Sequence, residues 1–256
     1  MTGCIREFCR RAWNGFLDLL FPRKVSCLLC GREVDDAYLC EECLPRLILN
    51  DGTRRCEKCS RPLIAEERFC PSCTSGERLH FNRAVSACVY EGAVVTMIHR
   101  FKLGRRREYA ELFASLMAVE AVKLPDVDIV VPVPMEREKL PSRGYNQCDL
   151  LGKSLCSELN LPLKDALIRR SNTIDQVGLS ARERRRNVRG SYKVVDASSV
   201  KGKNVLIVDD VLTTGATLSE CARVLKVAGA KEVYAVTAAI APTRVREGMT
   251  YVEERI

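Results

Sequence analysis

The sequence has little of what marks a membrane-spanning or nucleotide-triphosphate-binding protein. No stretch of about 20 consecutive apolar residues occurs along its 256 residues, so no transmembrane helix is expected. Met1–Leu20 carries Arg6, Arg10 and Arg11 among its apolar residues, which is unlike a signal peptide. The absence of a Gly-x4-Gly-Lys-Ser/Thr string excludes a P-loop. Aromatic residues make up only 6%, which weakens the case for binding a nucleic-acid strand by stacking its bases.

Cysteine, in contrast, is abundant, with 14 residues. Eight of them fall in Cys-x-x-Cys pairs, a metal-binding spacing typical of reducing compartments, so we expect a cytoplasmic protein without disulfides. Two such pairs supply the four tetrahedral thiolates of a structural zinc site. Two Zn²⁺ sites are therefore predicted, with the pairs combined in sequence order and an interleaved combination left open. The predicted ligands are Cys27, Cys30, Cys40, Cys43, Cys56, Cys59, Cys70 and Cys73.

Residues 1–24 have the apolar spacing of an amphipathic helix. Apolar side chains recur at three- and four-residue steps from Ile5 to Leu20, and Phe21-Pro22 ends the pattern. Packing on the chain's own domain is the favoured interpretation. The positive charges and Trp13 keep two alternatives open, which are peripheral contact with a membrane surface and docking on a partner protein.

The remaining residues predict two domains joined by a short polar linker. Residues 25–75 contain the cysteine pairs and are interpreted as a double zinc ribbon. Residues 82–256 alternate short apolar strands with helices, which predicts an α/β domain with a mostly parallel sheet covered on both faces. Strands are predicted at Ala84–Val89, Ile129–Val133, Val205–Val208 and Val233–Ala239, and helices at Val94–Phe101, Tyr109–Val122, Gln147–Leu159 and Thr217–Ala228.

The string with the most specific chemistry is Val205–Leu218. A short apolar strand is followed by Asp209 and Asp210, and then Thr213–Thr217 offers hydroxyls, successive N–H groups and a glycine at a helix amino terminus. Such a turn suits a phosphate dianion. The two carboxylates just upstream suit adjacent ribose hydroxyls and a Mg²⁺ ion bound through water. A capped helix start would explain isolated Asp and Thr residues, but it does not explain the complete string.

This string resembles the signature of type I phosphoribosyltransferases, which bind phosphoribosyl pyrophosphate (PRPP). Further strings at Ile129–Pro134, Arg143–Gln147 and Gln176–Ser180, together with the cysteine pairs, resemble the ComF family of competence-associated proteins, in particular its ComFC type. The resemblance extends from about Leu20 to Ala241. It implies a Rossmann-like type I phosphoribosyltransferase domain, with a mostly parallel sheet, behind an N-terminal double zinc ribbon.

The resemblance also implies roles for individual residues. Asp209 and Asp210 would be the catalytic pair on the ribose, and Mg²⁺ would accompany PRPP. The implied PRPP-binding residues are Val211, Thr213, Thr214, Gly215, Ala216 and Thr217, with Arg143, Gly144 and Asn146 of a pyrophosphate loop and Lys102. A hood segment over the site would include Gln176, Leu179, Arg184 and Asn187.

Three functional hypotheses follow from this resemblance. The family's role implies a PRPP-binding protein of DNA uptake in natural transformation, which handles internalised single-stranded DNA and contacts other uptake proteins. The site would otherwise transfer a phosphoribosyl group to a base that the sequence does not name, or the chain would be a non-catalytic adaptor that binds single-stranded DNA through its ribbons. The net charge of +8 favours polyanionic ligands. Arg182–Arg189 suits either a pyrophosphate or a nucleic-acid backbone.

Overall fold

The computed structural model describes most of the chain between residues 25 and 242. The described residues are 25–35, 37–52, 54–63, 66–74, 79–103, 106, 108–136, 138, 140–170 and 188–242. The helix expected in residues 1–24 lies outside them. The helices within these ranges include none that could span a membrane.

Contacts between residues divide the chain into two compact units, Met1–Arg46 and Leu47–Ile256. In the first unit, β1 (Val25–Ser26) pairs antiparallel with β2 (Glu33–Val34), and a short 3-10 helix spans Leu44–Arg46. The division falls between the two groups of cysteine pairs. The domain limits inferred from the sequence, at residues 24–25 and 75–82, stay a prediction.

The larger unit is built around a four-stranded parallel sheet. In chain order its elements are α1 (Pro71–Thr74), β3 (Arg83–Val89), α2 (Ala93–Leu103), α3 (Glu108–Ala121), β4 (Ile129–Pro132), α4 (Leu140–Arg143), α5 (Gln147–Leu159), β5 (Leu167–Arg169), β6 (Tyr192–Val194), β7 (Asn204–Leu212), α6 (Ala216–Val227) and β8 (Glu232–Ile240). The strand order is β3-β8-β7-β4 with every neighbouring pair parallel, and β5 and β6 form a separate antiparallel pair. The predicted α/β fold with a parallel sheet is confirmed.

Both faces of the central strands are covered. All four residues from Val205 to Val208 in β7 are fully buried, although successive side chains of a strand point to opposite faces. Helices α3 and α5 contact each other and the sheet, and α6 contacts β7 and β8. A near-continuous apolar run is typical of such a strand, which is why these four residues could be recognised in the sequence.

Strand β7 continues beyond the apolar run by which it was predicted. Asp209 pairs with Thr237 and Val211 with Ala239, so the ladder with β8 extends to Leu212. The carboxyl ends of all four parallel strands meet at one edge of the sheet, where ligands bind in open α/β folds. Asp209 and Asp210 therefore belong to the last four residues of β7 at this edge and not to a separate loop.

Candidate functional site

The eight predicted zinc ligands form two clusters in the structure. The first cluster is Cys27, Cys30, Cys40 and Cys43, and the second is Cys56, Cys59, Cys70 and Cys73. Within each cluster the sulfur atoms lie within 4.8 Å of one another, with 3.7 Å between Cys30 and Cys40 and 3.6 Å between Cys59 and Cys70. Zinc–sulfur bonds of about 2.3 Å in a tetrahedron separate the sulfurs by about 3.8 Å. Each cluster therefore fits a structural zinc site, and the pairs combine in sequence order.

The turns that present the first pair of each cluster have the same backbone. Gly31 N donates to Cys27 O, and Ser60 N donates to Cys56 O, both at 2.8 Å. Gly31 and Ser60 have positive φ angles of 81° and 58°. Glycine adopts this conformation without strain, whereas Ser60 has a Cβ atom. Ser60 is held by the buried side chain of Asn50, whose Nδ2 donates to Ser60 O at 2.9 Å.

The second cluster shares a hydrophobic core with the parallel sheet. Cys56, Cys59 and Cys70 are buried in the same apolar cluster as Phe81, which precedes β3, and Leu212, which ends β7. A metal held by these cysteines would therefore be attached to the core that supports the sheet edge.

The carboxyl end of β7 forms an open cleft. The cleft is lined by Asp209, Val211, Leu212, Thr213, Thr214, Gly215, Ala216, Thr217 and Leu218. Asp210 N donates to Asp209 Oδ1 at 2.9 Å, which fixes the first carboxylate at the end of the strand. The structure thus brings one predicted ribose-binding aspartate and the predicted phosphate-binding turn to the same cleft.

Helix α6 begins at this cleft. Its N-cap residue, Gly215, has a φ of 76°, a conformation that glycine adopts readily. A Cβ atom at Gly215 would lie 3.6 Å from Leu212 Cδ1 and Leu79 Cδ2, which is an ordinary contact distance, so the positive φ and not a lack of space favours glycine here. Thr214 Oγ1 accepts from Ala216 N at 3.3 Å. The start of a helix offers N–H groups and a partial positive charge to an anion, so this turn can hold a phosphate.

Lys102 compensates the charge of the aspartate pair. Its Nζ lies 3.1 Å from Asp210 Oδ2. Burial alone would lower the pKa of Lys102, but the charge of Asp210 and its hydrogen bond offset this effect, and the pKa is raised. Burial and then the charge of Asp210 raise the pKa of Asp209 to about 7. Near neutral pH, Asp209 can therefore either donate or accept a hydrogen bond.

A buried thiol contacts the same carboxylate. Cys148 Sγ donates to Asp209 Oδ1 at 3.3 Å. Burial, and then the charges of Asp209 and Asp210, raise the pKa of the Cys148 thiol well above its ordinary value. The thiol is a hydrogen-bond donor that orients Asp209, and it is not a thiolate nucleophile. Sequence reasoning missed Cys148, whose one signal was its place in the first turn of a predicted helix.

The predicted pyrophosphate loop is connected to Lys102. The side chain of Asn146 caps the amino end of α5, and Gly144 has a φ of 78°. Arg143 Nη1 donates to Gln147 Oε1 at 3.4 Å, and Gln147 Nε2 donates to Lys102 O at 3.4 Å. Arg143, Gln147 and Lys102 therefore form a chain of contacts that leads to the aspartate pair.

The predicted hood residues Gln176, Leu179, Arg184 and Asn187 lie outside the described residues. The segment that follows them is anchored on α6. Gly190 N donates to Glu220 Oε1 at 2.8 Å, and Glu220 also pairs with Arg223 at 2.7 Å. Gly190 is thus attached to the helix that starts at the cleft.

Fold and site together define a phosphoribosyltransferase-type domain that follows a double zinc ribbon. Residues 147–252 match the phosphoribosyl transferase domain family, and residues 16–74 match the double zinc ribbon domain family. The chain is similar in sequence to several relatives over most of their length. The chain is 32% identical over 200 residues to the DNA utilization protein YhgH of Escherichia coli K12, covering 70% of this chain and 86% of that protein.

Two competence proteins are similar as well. Competence protein F of Haemophilus influenzae is 30% identical over 188 residues, covering 70% of this chain and 81% of its own. Competence protein ComFC of Streptococcus pneumoniae is 26% identical over 225 residues, covering 82% and 97%. The chain belongs to the ComF family of competence and DNA utilization proteins.

Proposed function

We propose that this chain binds PRPP, or a related ribose 5-phosphate, with Mg²⁺ at the cleft, and that it does so in the handling of internalised single-stranded DNA. The observation that carries the first part is the order of groups at the end of β7. Asp209 and Asp210 are followed by a turn with a positive φ at Gly215 and then by the amino terminus of α6. The second part is supported by the relatives, which are named DNA utilization and competence proteins.

Each group at the cleft has a matching group on the ligand. Asp209 and Asp210 can accept hydrogen bonds from the two ribose hydroxyls, and the N–H and hydroxyl groups of Thr213–Thr217 can bind the 5-phosphate. Mg²⁺ binds oxygen ligands, commonly one or two carboxylates with substrate phosphates, and would neutralise the pyrophosphate of PRPP. Lys102 adds positive charge beside these carboxylates, and Arg143, which is connected to Lys102 through Gln147, would add a second positive charge toward the anionic ligand.

The same geometry suits phosphoribosyl transfer as a second candidate. The reaction needs the ligand to be positioned and the charge of the leaving pyrophosphate to be neutralised, which arginine and Mg²⁺ can do. Protonated Cys148 beside Asp209 does not act as a covalent nucleophile. Pyrophosphate release measured with a panel of nucleobases would distinguish transfer from binding alone.

Calorimetric titration with PRPP–Mg²⁺ tests the binding site. The Asp209→Asn/Asp210→Asn variant should bind at least about 100-fold more weakly, because two carboxyl groups that would bind the ribose and Mg²⁺ are lost. Affinity equal to that of the wild type would overturn the site. A single-stranded oligonucleotide titrated in parallel, over a range of salt concentrations, tests the DNA part of the proposal.

A matched control has the same change of charge. Asp165→Asn/Asp196→Asn removes two exposed carboxylates of the same unit that do not line the cleft. This variant should bind PRPP–Mg²⁺ as the wild type does. If it bound as weakly as the Asp209→Asn/Asp210→Asn variant, the loss would reflect the net charge and not the cleft.

A further inference from the structure

The backbone of Arg61 is fixed by the second cysteine cluster. Arg61 directly follows the turn that contains Cys56 and Cys59, and Cys56 N donates to Arg61 O at 2.8 Å. The preceding residue, Ser60, closes the same turn with its own bond to Cys56 O. The position from which the Arg61 side chain extends is therefore set by the turn that presents two of the four cysteines.

The guanidinium of Arg61 reaches the carboxyl edge of the sheet. Its Nη2 donates to Thr213 O, and its Nη1 donates to Ala241 O and, at 3.1 Å, to Pro242 O. Thr213 follows the last residue of β7, and Ala241 follows the last residue of β8. Ala241 N in turn donates to Leu212 O at 2.9 Å. One buried side chain, which is 7% exposed, thus joins the ends of two central strands.

The bond to Thr213 O bears on the direction of an N–H group in the phosphate-binding turn. The C=O and N–H groups of a trans peptide point in opposite directions, and the described residues include no cis peptide. Because Thr213 O faces the guanidinium of Arg61, the N–H of Thr214 in the same peptide group points away from Arg61. Thr214 lines the cleft, and its N–H is among those that would bind the phosphate.

We infer that Arg61 is a positioning residue of the phosphate-binding turn and that it couples the second cysteine cluster to ligand binding. The inference rests on the proposed binding of a ribose 5-phosphate at Thr213–Thr217. Arginine suits this role because its planar fork carries several N–H donors in fixed directions, which the single ammonium of lysine cannot reproduce. Coupling between two sites is reciprocal, so the ligand must strengthen metal binding by the factor by which the metal strengthens ligand binding.

Two substitutions of Arg61 and one matched control test the positioning role. Arg68→Gln is the control, because it removes the same charge from the same ribbon, where Arg68 and Glu57 form a pair that is 74% and 51% exposed. The full chain, loaded with two equivalents of zinc, is titrated with PRPP–Mg²⁺. Arg61→Gln should weaken binding at least about tenfold, because hydrogen bonds from a charged donor are lost. Arg61→Lys should fall between Arg61→Gln and the wild type, whereas wild-type affinity in Arg61→Gln would overturn the inference.

Equilibrium competition for zinc with a chromophoric chelator tests the coupling. In the wild type, PRPP–Mg²⁺ should raise the zinc affinity of one of the two sites by about fivefold or more, and Arg61→Gln should abolish this increase. A purely structural role of Arg61 would lower stability without linking PRPP to zinc. A wild type that binds PRPP yet has the same zinc affinity at both sites with and without PRPP would contradict the coupling.

Failure of the proposed function gives a different result, because the wild type itself would then not bind PRPP. In that case hydrogen exchange of the unliganded chain still decides the role of Arg61. Amides of residues 213–218 should exchange faster in Arg61→Gln than in Arg68→Gln, and equal rates would exclude a positioning role. If Arg61→Gln does not fold, Arg61→Lys provides the same comparison.

Discussion

The two cysteine clusters have nearly the same spacing in the sequence but different surroundings in the structure. The first lies in the compact unit that ends at Arg46, where an exposed pair between Arg32 and Glu42 has bonds of 2.6 and 2.9 Å. The second lies in the larger unit, and its buried cysteines belong to the core of the parallel sheet. Spacing therefore predicts a metal site without predicting what the site is attached to.

Two charged side chains next to the second cluster, those of Arg55 and Arg61, also contact the α/β part of the larger unit. Arg55 Nη1 lies 2.8 Å from Oε2 of Glu120, which belongs to α3 and is 4% exposed. Arg61 donates to carbonyls at the ends of β7 and β8. We therefore expect metal at the second cluster to stabilise the phosphoribosyltransferase-type domain, and metal at the first cluster to stabilise mainly its own unit.

The largest difference between the two clusters is expected in the melting temperature of two variants, each of which lacks two cysteines of one cluster. Cys56→Ser/Cys59→Ser should lower the melting temperature of the main transition by about 10 °C or more, because lost metal binding is lost folding free energy. Cys27→Ser/Cys30→Ser should leave that transition within about 2 °C of the wild type. Differential scanning calorimetry of zinc-loaded protein measures both variants under the same conditions.

Zinc content must be measured beside each melting curve. Each variant should retain one of the two equivalents, since the clusters use separate ligands. Equal destabilisation by the two variants would end the distinction between the clusters. Loss of both equivalents from either variant would show that the clusters do not bind metal independently.

An intermediate difference, in the free energy of unfolding, is expected between variants of two ion pairs, Arg55–Glu120 near the second cluster and Arg32–Glu42 near the first. Arg55→Gln leaves Glu120, a nearly buried carboxylate, with one fewer charged partner and should lower the free energy of unfolding by about 2 kcal/mol. Arg32→Gln breaks a pair whose side chains are 57% and 70% exposed and should cause no measurable change. Urea unfolding monitored by circular dichroism compares the two, and a comparable loss in Arg32→Gln would contradict the difference.

The sequence was sufficient for the features that depend on local pattern. The strand, the turn and the helix from Val205 onward follow from a buried run and a glycine, and each zinc site follows from the spacing of its cysteines. The contacts that tune the cleft were not predictable in the same way. Cys148 and Asp209 are 61 residues apart, and Arg61 and Thr213 are 152 residues apart. Such pairs are decided by how the elements pack, which a periodic pattern does not encode.

The smallest expected effect is a pH dependence of the unfolding free energy, which is caused by Asp209 of the larger unit. The pKa of Asp209 is raised from 3.8 to about 7, so the folded chain retains a proton that the unfolded chain has released. Stability is therefore lost as the pH rises through about 7, and Asp209→Asn, which cannot ionise, should avoid this loss. Between about pH 6 and about pH 8, the variant should gain about 1 kcal/mol in unfolding free energy relative to the wild type. Urea unfolding of the wild type and of Asp209→Asn at these two pH values measures the gain. A difference that does not change with pH would mean that Asp209 is ionised across this range, and the carboxylate pair would then carry its full charge before any ligand binds.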